Sequence, residues 1–444
     1  MYSYFRVARQ WGSILGRRLV SANAKLPILS TLLIIALAQS AIAQSQDDMQ
    51  TTVRLLSERV AQLEKRLEEV EGKESKQPTS DTSHPQKKGS SLEGASTVPA
   101  DPPQAATVAK PSHEHTMEIP GGPVMRIRGF SDVDYRASNE KGATNAFALG
   151  AFDLFVSSQI SEHFSMLSEL NFEFGDDNEL GVDLERMMLT YSLNDHFNLS
   201  FGRYHTGIGY YNTAFHHGTW FQTATGRPFL FFFEDEGGVL PVHNVGMSLT
   251  GTLPSGNLGL HYVAEIGNGR PARVPQNSTV QNLFDENNGK SFNLGLWARP
   301  EQVRGLQVGA SLYHDHLMPG IGPRIQELIP AVHVVYVTPE FEWLNEGVLI
   351  RHSLDQGGRT FNTSGFYTQV SRQWKRYRPY FRYQYFNASP LEPLLAGAGV
   401  QHGPSLGLRY DWSSFAAFKI QYDHSFRRGL QDLDLLGLQT SFTF

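Results

Sequence analysis

From Val124 to Phe444 apolar and polar residues alternate in short segments, with apolar side chains at every second position. A period of two is the strand signature, because successive side chains leave opposite faces of the pleat. Phe152, Leu154 and Val156 form one such run. Phe164, Met166, Leu170, Phe172 and Phe174 form the next, with Glu169, Asn171 and Glu173 on the other face. Met187, Leu189, Tyr191 and Leu193 lead into the tight Asn194-Asp195-His196 turn, and Phe197, Leu199 and Phe201 lead out. Val245, Met247, Leu249 and Leu253, then Leu258, Leu260, Tyr262 and Ile266, flank Pro254-Ser255-Gly256-Asn257. Phe292, Leu294, Leu296 and Ala298 continue the scheme, followed by Leu306, Val308, Ala310 and Leu312. Further strands are predicted near 329–338, 341–353, 363–374, 378–387, 404–413 and 415–427. In the last segment Leu436, Leu438, Thr440, Phe442 and Phe444 share a face against Leu435, Gly437, Gln439, Ser441 and Thr443. With 124–135 and 145–160 the tally is sixteen strands, joined in turn by tight connections and longer polar loops. An even count returns the chain to the end where it began.

Upstream, the pattern changes three times. Residues 1–25 are basic and free of acids, Leu26 to Ala38 are an apolar run, and Ala41-Ile42-Ala43 has the small-x-small spacing of a signal-peptidase site. Residues 1–43 therefore read as a secretory signal peptide; an uncleaved anchor is the alternative, although the run is short for a span of ~20 residues. Met49, Val53, Leu56, Val60, Leu63, Leu67 and Val70 then fall at alternate spacings of four and three, a heptad seam that makes 44–72 a coiled-coil helix. Arg59 with Glu64, and Arg66 with Glu71, occupy g and following e positions and would attract across a parallel pair. A single amphipathic helix lying on the barrel is the other reading of the stripe. The a and d residues do not choose between dimer and trimer. Residues 73–118 have no period and contain Pro78, Pro85, Pro99, Pro102, Pro103 and Pro111, so they read as a flexible linker. His113 and His115 close it, more as a solvated end than as a metal site.

Composition adds three constraints. There is no Cys, hence no disulfide framework and no thiolate chemistry. Cleavage after Ala43 would remove five cations and no acid, leaving 33 basic against 44 acidic residues and a balance of −11, which disfavours nucleic acid as a partner. Alternation alone does not say which face is outermost. The predicted secretion signal, the aromatic terminal residue and the absence of covering helices turn the apolar face outward, since lipid tolerates sheets only when they close. Tyr191, Tyr262, Trp343, Trp374, Tyr410 and Trp412 near strand ends suit interfacial girdles. Glu169, Glu173, Glu265, Arg299, Arg382, Arg409, Lys419 and Asp423 would then face a polar interior. The fold predicted for 119–444 is all-β: a transmembrane antiparallel β-barrel of about sixteen strands, preceded by a short α-helical coiled coil. A closing strand ending on Phe444 resembles those of bacterial outer-membrane barrels, a resemblance that implies recognition by the barrel-assembly machinery.

The longest connection runs from Tyr204 to His243. It contains Gly202-Arg203-Tyr204 at its entry, then Gly226-Arg227-Pro228, then Glu234-Asp235-Glu236-Gly237-Gly238. Here the chain resembles a broad family of outer-membrane porins that includes the phosphate-selective O/P type and related barrels with an N-terminal coiled coil. The resemblance covers roughly 120–444 and is strongest over 184–253. It implies a homotrimer in the bacterial outer membrane, with coiled coil and linker in the periplasm, passing small hydrophilic solutes through a pore narrowed by an inward-folded third loop. On that reading Arg203, Arg227, Glu234, Asp235 and Glu236 line the constriction. The alternative is that Arg227 pairs Glu234 or Glu236 and pins the loop to the wall. No dense Arg or Lys run is present, so phosphate selectivity is not carried over. His205, His216, His217 and His243 cluster in the same connection, as polar loop residues rather than metal ligands. No cofactor is expected.

Two other functional classes are compatible with an outer-membrane barrel. A lipid-facing hydrolase needs a Ser-His dyad, but the adjacent pairs His352-Ser353 and His424-Ser425 would point to opposite faces, and there is no Gly-x-Ser-x-Gly elbow. An envelope tether that conducts little is the structural alternative.

Overall fold

Sixteen alternating segments pair into one closed sheet. The computed structural model describes residues 115–117, 123–174, 178, 180–215, 218–234, 236–272, 283–319, 322–355 and 357–444. The predicted signal peptide, the coiled coil and nearly all of the linker lie outside the described residues. The strands are β1 (His115–Met117), β2 (Val124–Ser138), β3 (Ala146–Gln159), β4 (Phe164–Phe174), β5 (Leu180–Asn194), β6 (Phe197–His205), β7 (His243–Leu253), β8 (Leu260–Gly267) and β9 (Ser291–Ala298). They continue as β10 (Leu306–Leu317), β11 (Ile325–Val337), β12 (Phe341–Leu354), β13 (Thr360–Arg372), β14 (Tyr377–Asn387), β15 (Val400–Asp411), β16 (Ala416–Arg427) and β17 (Leu433–Thr443).

Each of β2 to β17 pairs antiparallel with its sequence neighbours, and β17 pairs with β2 from Leu435↔Ser138 to Thr443↔Phe130. Closure leaves the barrel without an open edge, the condition lipid imposes on a sheet. β1 is additional. It occupies the residues at which composition places the end of the linker, and it pairs with Met125–Ile127 of β2, just past the point where β17 stops.

Both faces follow the alternation. On the outside Leu294 is 63 % exposed, and Phe201, Leu296, Val332, Leu406 and Leu438 are exposed with it. On the inside Glu169 is 0 % exposed, and Glu265, Arg382, Lys419 and Asp423 are buried. This inverts a water-soluble protein. Trp374 and Trp412 stand exposed beside the tight turns, and Tyr377 packs on Tyr410 with ring centroids 5.0 Å apart.

Among the described residues three register shifts break the period, one of them beside the β5–β6 turn between Ser192 and Asn194 and two farther from a turn. One of these two lies between Ser131 and Val133 of β2. The other opposes Glu169 and Leu170 of β4 to Arg186 and Leu184 of β5, so the extra residue Glu185 points inward beside Arg186. Bulges of this kind re-aim side chains.

The seam is finished by Phe444. Its carbonyl accepts from the Gly129 N–H at 2.8 Å and its N–H donates back at 3.0 Å. Its ring lies over Gly129, where a Cβ would come within 2.3 Å of the ring carbons. Gly129→Val should therefore displace the ring and cost about 1–3 kcal/mol of barrel stability. A lowered thermal midpoint in the heat-shifted gel mobility of the detergent-folded barrel measures it.

The interior is not polar throughout. Tyr313 and Leu317 on β10, Ile325 and Ile329 on β11, Leu344, Val348 and Ile350 on β12, Tyr367 on β13 and Phe386 on β14 are inward and buried. These residues make one core with the connection that follows β6.

Candidate functional site: a loop across the lumen

Residues 206–242 leave β6, cross the lumen and return at β7. They form a short helix α1 (Tyr211–Ala214) and 3-10 turns at Thr219–Phe221 and Phe229–Phe231. A connection inside a barrel must find partners for its own N–H and C=O groups. Here the wall supplies charged ones. Glu346 of β12 accepts from the Tyr210 and Tyr211 N–H groups at 2.5 and 2.9 Å, and from the Tyr367 hydroxyl at 2.6 Å. Glu265 of β8 accepts from the Gly207 N–H at 3.0 Å.

Cations meet the carbonyls. Lys419 donates to the Thr219 and Ala224 oxygens at 2.6 and 3.1 Å, and Arg409 to those of Trp220 and Gln222 at 2.6 and 2.9 Å. Arg382 donates to Gly226 at 2.9 Å. Apolar contacts complete the attachment: Phe221 lies 4.7 Å from Phe130 of β2 by ring centroids, and Phe229 lies 5.1 Å from Phe386 of β14. The loop thus reaches from β6 to the opposite wall at β2 and β12–β17.

The five residues expected at the constriction fare differently. Arg203 faces inward on β6 but is 5 % exposed; its Nε donates to the Glu185 carbonyl at 2.9 Å. Arg227 does not line an opening. It is 4 % exposed inside the loop, donating to the carbonyls of Phe231 at 2.5 Å and Phe215 at 3.3 Å, with its guanidinium 4.1 Å from the Phe233 ring centroid. The expected pairing with Glu234 or Glu236 is replaced by carbonyls and rings, so Arg227 holds the loop to itself rather than to the wall.

Glu234 accepts from the His243 N–H at 2.8 Å and from its Nδ1 at 2.9 Å. Glu236 keeps partial exposure, and its charge is felt by Arg136 of β2. Asp235 lies outside the described residues. Of the histidines, His205 directs Nδ1 at the Asn212 carbonyl at 3.0 Å, while His243 stands between Glu234 and Glu185, its Nε2 2.8 Å from the latter. His216 and His217 lie outside the described residues. His352 faces in, whereas Ser353 faces out toward Thr360, 3.2 Å away. The parity argument against that dyad holds.

The cross-strand register adds a feature that alternation along single strands does not show. Arg378 pairs in register with Arg409, and Arg409 with Lys419, so three cations from β14, β15 and β16 form one inward row. The usable signal is distance from a tight turn. Arg378 is the second residue of its strand and Arg409 the third from the end of the next, which puts them level.

No protein-family model matches the chain, and no curated protein matches its sequence. Solved structures do resemble it. An anion-selective porin from Comamonas acidovorans superposes with a TM-score of 0.52 at 11% identity, covering 72% of this chain and 100% of its own. Salmonella typhi OmpF in complex with daunomycin gives 0.52 at 12% identity, over 74% of this chain and 100% of its own. The outer membrane channel DcaP of Acinetobacter baumannii gives 0.50 at 9% identity, over 74% and 99%. At such identities the likeness speaks for architecture alone: the chain has the sixteen-stranded barrel fold of outer-membrane porins and channels.

Proposed function

We propose that the chain is an outer-membrane porin, passing small hydrophilic solutes by diffusion between the loop of residues 206–242 and the wall it leaves uncovered. The observation that carries this is the inverted barrel, apolar outside and charged within, with a loop held across its middle by wall charges. The likeness to porins and channels supports it. The tight turns then face the periplasm, the long loops face outward, and the closing strand is what the barrel-assembly machinery binds. The heptads of 49–70 support self-association, and the porin resemblance makes the expected oligomer a homotrimer. Phosphate selectivity is not part of the reading, because Arg382, Arg409 and Lys419 are already committed to loop carbonyls.

The passage would run along β2–β5, where Arg136 and Arg186 retain exposure and the charge of Glu236 reaches Arg136. Opposed charges across a narrow opening select by charge and size. In planar bilayers the folded chain should give a large, steady conductance; its absence would return the tether. Glu236→Gln removes a fixed negative charge, so in a salt gradient the reversal potential should move toward that of the anion. Arg227→Ala should leave the reversal potential in place and raise current noise, since its charge is used inside the loop.

A further inference from the structure

On the tight-turn side of the loop, the inner face of β8–β11 carries two buried donors that meet no acceptor among the described residues. His261, Trp297, Gly309 and His333 are cross-strand neighbours in one row. The His261 and Trp297 rings stack, 5.7 Å apart and 4° from parallel. Gly309 lets its neighbours close over it; a Cβ there would lie 2.5 Å from His333 Cε1 and 2.6 Å from Trp297 Cβ. Next to the row, in the turn after β9, Arg299 donates from Nε to Gln307 Oε1 at 2.8 Å. That contact fixes the amide, so Gln307 Nε2 donates to His333 Nε2 at 2.9 Å.

If His333 Nε2 accepts, Nδ1 must carry the hydrogen. His333 Nδ1 is buried and has no hydrogen-bond partner, and the same is true of Trp297 Nε1. Arg299 has no carboxylate within ion-pair distance among the described residues. A guanidinium, an imidazole N–H and an indole N–H thus share one patch. A buried donor left unmet costs about 1–3 kcal/mol, and what satisfies these two beside a guanidinium is an anion. Tyr210 of the loop covers the patch, its ring 6.1 Å from that of His333, so a solute enters by displacing it.

We propose that Arg299, Trp297 and His333 form a subsite for the carboxylate of a small planar organic acid, whose ring lies along the stacked His261–Trp297 pair. One guanidinium balances one negative charge and offers two parallel N–H groups to the two oxygens of a carboxylate. The inference rests on the channel reading for its purpose but not for its test.

The probe is benzoate, titrated calorimetrically into the folded full-length protein in detergent and, separately, added on the tight-turn side in single-channel recordings. Saturable heat is expected, with a matching concentration-dependent fall in current. Trp297→Phe keeps a ring and removes only the N–H, and should weaken binding about tenfold. Arg299→Gln should weaken it by tenfold or more. Inorganic phosphate at equal concentration should compete poorly.

Absence of saturable binding to the parent protein overturns the subsite, as does equal affinity in both variants or a phosphate response matching that of benzoate. Binding without conductance would sink the channel reading alone. Conductance with no response to benzoate would sink the subsite alone.

Discussion

Excising residues 209–240 and joining β6 to β7 by a short turn should raise conductance severalfold and, at the same time, weaken the barrel. Loops that run over a surface tolerate shortening. This one is different, because Ile325, Ile329, Leu344, Val348, Ile350, Tyr367 and Phe386 point inward and are buried partly by the loop's own Ile208, Tyr211, Leu230, Phe231 and Leu240. Each large apolar side chain returned to water costs about 1.5–3 kcal/mol, and area-based figures are upper bounds. Ile208 stays and the other four leave with the loop, so the loss falls on the seven wall residues; uncovering them even in part costs on the order of 10 kcal/mol. Glu346 and Lys419 would lose backbone partners as well. The checks are single-channel conductance and the urea midpoint in detergent. A wider pore with an unchanged midpoint would show that the loop rests on the wall without supporting it.

The same residues mark where sequence reading succeeds and where it stops. Period-two runs such as Met187–Leu193 and Leu436–Phe444 locate the strands, because a sheet has only two faces and one of them meets lipid. The long Gly-rich connection stands out for its length alone. On β11 and β12, however, the inward face is also apolar. Ile325, Ile329, Leu344 and Val348 look from sequence like any buried strand residues, and nothing in a period distinguishes packing on lipid from packing on a loop. The surroundings of Arg227 are illegible for a related reason. Its partners are carbonyl oxygens and rings, and every residue has a carbonyl, so no residue type announces the contact. The bulge at Glu185 was invisible for another: a single inserted residue shifts the phase by one, and short runs absorb such a shift unnoticed. Lys419 and Thr219 are 200 residues apart, a separation at which only the closed barrel makes neighbours.

Two histidines attach loops to the wall in the same way, and breaking either should have a large effect. His243 stands between Glu185 of β5 and Glu234 of the loop, with contacts of 2.8 and 2.9 Å. His352 of β12 stands between Glu327 of β11, at 2.7 Å, and Glu392 of the connection after β14. Glu392 also accepts from the Leu394 and Leu395 N–H groups, and Glu327 pairs with Arg270, which donates to the Val239 carbonyl at 3.0 Å. A ring nitrogen directed at each carboxylate ties wall to loop only while both can donate. His352→Ala leaves Glu392 buried without that partner, which costs about 3–5 kcal/mol. Release of residues 388–399 should follow, seen as new protease cleavage there and a lower urea midpoint. Adding Glu392→Gln removes the stranded charge and should recover much of the loss. If the double variant is no better than the single one, the bridge is packing and not charge.

Acid tests the other bridge from its loop side. Burial alone would raise the Glu234 carboxyl. The charge of His243, its two hydrogen bonds and Arg203 outweigh that and hold Glu234 below its ordinary value of 4.5. A carboxyl lowered in the folded state contributes stability fully above its unfolded value and loses it as pH falls through the folded one. The loop should therefore hold from neutrality down to about pH 4.5 and loosen below it, as increased current noise on acidification. Glu234→Gln should show that noise already at neutral pH, with no further rise in acid.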